Sequence, residues 1–116
     1  MQADVIFSYS RKHAISDGIL IEVSRSTCQE AGIKYPVAIT SFLWDSLIKP
    51  SSELEIHGQS FEGRLWDLLS MFVFYARTAT SPTLIFECLF QMEPSKKPEL
   101  HTIKAVMVAT IGELEK

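Results

Sequence analysis

The apolar and polar positions of this chain change period once. From Phe61 to Arg77, FEGRLWDLLSMFVFYAR, apolar residues point in nearly every direction around a helix. The polar positions Arg64, Asp67, Ser70 and Arg77 recur at three or seven residues, which places them on one narrow stripe. A helix this apolar requires other elements around it. Ser60 stands where its N-cap belongs, Glu62 suits the first turn, and Arg77 suits the last. Gly63 costs such a helix roughly 1 kcal/mol against alanine. Its presence predicts the close approach of another backbone.

After Thr80-Ser81-Pro82 the period becomes two. In Thr83 to Met92, the residues Leu84, Phe86, Cys88, Phe90 and Met92 share one face. In Leu100 to Ile111, His101, Ile103, Ala105, Met107, Ala109 and Ile111 do the same. The linker from Glu93 to Glu99 is polar and proline-bounded, so the pair predicts an antiparallel hairpin. A bare hairpin is marginal in water, so its apolar face should pack on the central helix.

The first half predicts short elements. Val5 to Tyr9 is β-prone, and Ser10 is placed to cap a helix over residues 11–16 that Asp17-Gly18 ends. Ile19 to Val23 reads as extended. Ser24 or Ser26 starts a two-turn helix, with Gln29 at capping-box spacing from Ser26, and Ala31-Gly32 closes it. Ile33 to Pro36 connects to a third helix, Phe42 to Ile48, capped by Thr40 or Ser41 and stopped by Pro50. Ser51 to Ser60 is polar with a central glycine and reads as a surface loop that could order on binding. The whole predicts one α+β domain over residues 1–116. It comprises N-terminal short helices, one central apolar helix, and a C-terminal antiparallel β-hairpin packed on it.

Composition narrows the function. A chain of 116 residues that is 47% hydrophobic and 22% charged suits one globular domain. Its net charge of −3 argues against direct nucleic-acid binding, which needs clustered lysine and arginine. The longest apolar run, Leu68 to Ala76 across Ser70, is too short for a bilayer, so no membrane role is expected. The first residues lack a basic region followed by a long apolar one, so no signal peptide is expected. Cys28 and Cys88 form no CxxC, and His13, His57 and His101 lie far from them. Free buried thiols in a reducing cytoplasm, with no metal and no cofactor, are the expectation.

The candidate chemistry is sparse. Arg64 and Asp67 could be an anion-binding arginine held by a carboxylate, or an ion pair anchoring the N-terminal segments to the helix. Ser8, Ser10, Ser16 and Asp17 near His13 offer no nucleophile elbow and no oxyanion donors, and helix capping accounts better for Ser10. Phosphate-cradling glycine loops are absent. No catalytic residue is named, and no enzymatic activity is expected. The surface is more informative. Trp44, Trp66, Tyr35 and Tyr75 are of the types enriched at protein interfaces. Ile85, Leu89, Val106 and Val108 lie on the outer faces of the two strands. Left uncovered, they form an apolar patch of the kind that marks a partner.

The runs FSYSRKHAISDGILIEVS, EAGIKYPVAITSFLWD, GRLWDLL and TIKAV, in that order, resemble an uncharacterised family of small bacterial proteins carried on plasmids, prophages and other mobile elements. The resemblance covers most of the chain, with SRxxAIxDG and GRLWD its more specific parts. The turn and extended segment usual at the family's C-terminus look shortened here to MVATIGELEK. The resemblance supplies no catalytic residues. It implies an accessory cytoplasmic protein of a mobile element. The expected function is therefore non-enzymatic interaction with a host protein or complex, such as inhibition of a CRISPR or restriction complex, with a homodimer also open. The alternative is a module binding an anionic ligand between helix and sheet, anchored by Arg64 and Lys104.

Overall fold

The computed structural model describes residues 11–107. The strand expected at Val5 to Tyr9, the Ser10 cap, Val108 and the end of the second long strand lie outside the described residues. Helix α1 spans Arg11–Ser16. Strand β1, Leu20–Glu22, pairs antiparallel with β2, Ala38–Thr40, with Ile21 opposite Ile39. Between them lies α2, Arg25–Glu30. Its cap is Ser24, whose Oγ accepts from the Thr27 amide at 3.3 Å, so the expected Ser26–Gln29 box is not the device used. The helix ends at Gly32, with φ +84°, where the Ile33 amide donates to Cys28 O at 2.8 Å. That left-handed residue and six-to-one bond form a Schellman close. Three residues are too few to reveal alternation in a sequence, which is why β2 was not foreseen.

Thr40 caps the next helix by accepting from the Leu43 amide at 3.1 Å. The helix begins as α3, Ser41–Leu43, and widens into a π-helical turn, Trp44–Ile48, closed by Lys49 N to Trp44 O at 2.8 Å. The span matches expectation, whereas the π geometry has no simple sequence signal. The polar stretch 51–60 is not a loop. It holds α4, Ser52–Ile56, capped by Ser51 and closed at Gly58, whose φ is +93°. Only Leu54 on it is buried, and one apolar residue cannot display a period.

The central helix α5 spans Phe61–Ala76, with the Ser60 Oγ accepting from the Gly63 amide at 3.1 Å. A Cβ on Gly63 would stand 3.3 Å from that Oγ, so the close neighbour is the capping hydroxyl and not another backbone. Strands β3, Thr83–Phe90, and β4, Glu99–Val106, form the expected hairpin, with Phe86 opposite Ile103 and Cys88 opposite His101. The inner face buries Phe86, Cys88, Phe90 and Ile103. Leu65, Leu68 and Leu69 of α5 join them in one core. Leu47 and Ile48 of the π turn, with Val23, Cys28, Ile33 and Ile39 from the first half, complete it. The α+β architecture with a C-terminal hairpin on the central helix is thus the observed one. Neither Cys28 nor Cys88 forms a disulfide, and both are buried.

Candidate functional site

Arg64 is the most constrained polar group of the described residues. It is only 3% exposed. Its Nε donates to Leu47 O at 2.6 Å, and its Nη1 donates to Gln91 O at 2.8 Å and Gln59 Oε1 at 3.4 Å. The guanidinium lies 5.0 Å from the Phe90 ring centroid. Gln91 extends the network, donating from Nε2 to Pro94 O at 3.0 Å and Lys96 O at 3.3 Å, which ties down the β3–β4 connection. Nη2 meets only Met92 Sδ, at 3.7 Å. Among the described residues no carboxylate forms an ion pair with Arg64. Burial pushes its pKa below the usual arginine value, opposed by the more distant Asp67 and Cys88.

The expected Arg64–Asp67 pair is therefore replaced by hydrogen bonds to backbone carbonyls. Asp67 is exposed. The three-residue spacing holds, but the core begins between the two positions, so one side chain turns inward and the other outward.

Beside Arg64 opens a cavity of about 290 Å³, lined also by Asp45, Ser46, Lys49, Ser51 and Met92. No histidine or cysteine lines it. Lys104, the expected second anchor, is exposed and stands opposite Ile85 on the outer face of the hairpin. Arg64 reaches the opposite, inner face, so the fold does not bring these two cations together. Lys49, and not Lys104, is the lysine that lines the cavity with Arg64.

Cys88 and His101 face each other on the inner face of the hairpin. Burial pushes the Cys88 thiol above its ordinary range, aided by Asp67 and opposed by Arg64. A thiol held protonated is a poor nucleophile. The Nε2 of His101 is buried without a hydrogen bond, its nearest acidic atom being Glu99 Oε1 at 3.7 Å. Among the described residues no three His, Cys, Asp or Glu side chains gather as metal ligands. No helix of the described residues is long and apolar enough to cross a membrane.

The outer face of the hairpin keeps large apolar side chains exposed among the described residues. Ile85, Leu89 and Leu100 are 65%, 59% and 56% exposed, and Leu89 lies directly opposite Leu100. Val106 is half-buried. Leu100 was not singled out from the sequence, although its place in the alternation could have found it. Within the described residues this sheet has two strands, leaving an unpaired backbone edge on each. Trp44 is half-buried, with its ring 5.3 Å from that of Phe61, and serves to join the π turn to the start of α5. Trp66 is exposed on α5. Phe74, also exposed, meets Tyr75 edge-on at 5.3 Å, and Tyr75 lies 5.8 Å from the buried Phe86.

A family model described as "Family of unknown function (DUF6573)" matches residues 1–112. No curated protein and no solved structure matches the chain.

Proposed function

The chain belongs to DUF6573, a family of unknown function, and on that footing we propose that it acts by binding another protein rather than by catalysis. The observation that carries this reading is the outer face of the hairpin. Among the described residues α5 packs on the inner face of this sheet and leaves Ile85, Leu89 and Leu100 of the outer face exposed. Ile85 and the Leu89–Leu100 pair stay exposed, with the polar Glu87–Thr102 pair between them and Lys104 beside Ile85. Exposed apolar side chains of this size, gathered on one face, are of the kind that marks a protein interface. The unpaired strand edges add a second mode, because an extended segment of a partner can extend the sheet. The partner we propose is a host protein complex, with the defence complexes directed against mobile DNA as the first class to test. This choice rests on the small size of the chain and on its resemblance to proteins of mobile elements.

The test uses purified protein and the Ile85→Lys/Leu89→Lys double variant. The wild-type protein is expected to co-purify with a CRISPR or restriction complex from the host and to stop its cleavage of target DNA. The double variant, with an unchanged unfolding midpoint, is expected to lose both. Recovery of the bait alone, or equal inhibition by both proteins, would overturn the reading. Size-exclusion chromatography of the same pair separates a second copy from a foreign partner, since a homodimer through this face dissociates in the double variant.

A further inference from the structure

We propose that the cavity between Arg64, the π turn and the start of α4 is a binding site for one small oxyanion, a carboxylate or a phosphate, held by Arg64 and Lys49. The starting point is an imbalance of charge. An arginine residue that is only 3% exposed usually has a carboxylate beside it, because an uncompensated buried charge is costly. Arg64 has none at ion-pair distance among the described residues. Its Nε and Nη1 are satisfied by neutral oxygens, which accept hydrogen bonds but carry no net charge. Its Nη2 has two N–H donors and, among the described residues, meets only a thioether at 3.7 Å, a weak acceptor.

The cavity lies where that deficit can be made good. Arg64 and Lys49 both line it, with Asp45 as the one acidic lining residue. Ser51 also lines it. The Ser51 hydroxyl oxygen already accepts from the Leu54 amide at 3.3 Å, and that cap leaves the hydroxyl proton available to donate. About 290 Å³ is near the lower end for a ligand site and suits a charged group with a few atoms behind it. Arginine forks match the paired oxygens of a carboxylate or phosphate, and lysine adds a point charge. The same chemistry is presented by a free small anion and by an acidic side chain of a bound protein.

The experiment follows the Arg64 Nε–Hε signal and the backbone amides of residues 45–51 by NMR. The full chain is titrated with inorganic phosphate, with acetate and with a blocked aspartate peptide, against chloride at matched ionic strength. A saturable shift with phosphate or acetate, weakened about tenfold in Lys49→Ala and unchanged in Lys104→Ala, is the expected result. A peptide bound about tenfold more tightly than acetate identifies the source as a partner's side chain, and equal affinity identifies a free anion. Shifts that follow chloride, or that survive Lys49→Ala unchanged, overturn the proposal. Lys49 is exposed, so its removal leaves the core intact. Arg64→Lys offers a second reading, keeping a charge while removing the fork. The Ile85→Lys/Leu89→Lys variant should titrate normally, so this site and the hairpin face stand or fall separately.

Discussion

The Nε–H of Arg64 donates to the carbonyl oxygen of Leu47 at 2.6 Å. Leu47 sits in the last turn of a helix, where carbonyls have no partner within the helix itself. The π turn ends abruptly at Lys49, and Pro50 follows with no amide to donate. A side chain from α5 therefore caps that helix from outside. The same guanidinium donates to Gln91 O, one residue past the end of β3. One arginine thus closes two elements onto a third.

Arg64→Met should cost about 3 kcal/mol in urea denaturation, since one buried and one partly buried carbonyl lose donors, at about 1–3 kcal/mol for a fully buried one. Asp67→Asn, at an exposed position, should stay within about 0.5 kcal/mol. Equal losses for the two would mean that Arg64 is held through Asp67 after all.

The two faces of the hairpin should respond in opposite ways. Phe86→Ala opens a cavity in the core and should cost about 3–5 kcal/mol. Leu89→Lys, three residues along the same strand and on the exposed side, should shift stability by no more than about 0.5 kcal/mol. Thermal and urea melts of both variants check the assignment of faces.

Gly58→Ala should destabilise by about 1 kcal/mol, because the left-handed backbone at φ +93° is disfavoured for a residue with a Cβ. Space is not the issue there, since nothing lies within 4 Å of where that Cβ would be. Hydrogen exchange at the Gln59 amide, which closes α4, should speed up in step with the loss.

Cys88 should impose a pH dependence at the alkaline end. Its folded pKa is raised above the ordinary thiol value of 9.0, chiefly by burial. The unfolded chain ionises first as pH rises, so the stability linked to the neutral thiol is intact below 9.0 and declines from there up to the folded value. The stability difference between wild type and Cys88→Ala should accordingly narrow above pH 9. Alkylation of native protein at neutral pH should be slow at this thiol compared with the denatured chain.

Much of this was legible in the chain. The sixteen residues of α5 and the eight-residue strands are long enough to show their periods, and Ser60, Thr40 and Gly32 announce their caps. What escaped were elements too short or too polar to have a period: β2 with its three residues, and α4 with Leu54 as its one buried side chain. The site was half-visible. Arg64 stood out because a charge on so apolar a helix is unusual, but its partners Leu47 O and Gln91 O are backbone atoms, which no residue type advertises. Lys49 was passed over because nothing near it in sequence marks it as a neighbour of a residue fifteen positions on.

By itself the sequence determined the order and kind of the long elements, the inner residues of the hairpin and the absence of familiar catalytic motifs, because these rest on spacing within a few residues. The tertiary structure alone decided that Arg64 turns inward while Asp67 turns out, that Lys49 rather than Lys104 shares its cavity, and that α5 covers the inner side of the hairpin. Helical and strand periods state which residues share a face. Which face meets the core is set by contacts between segments distant along the chain, and only their packing together settles it.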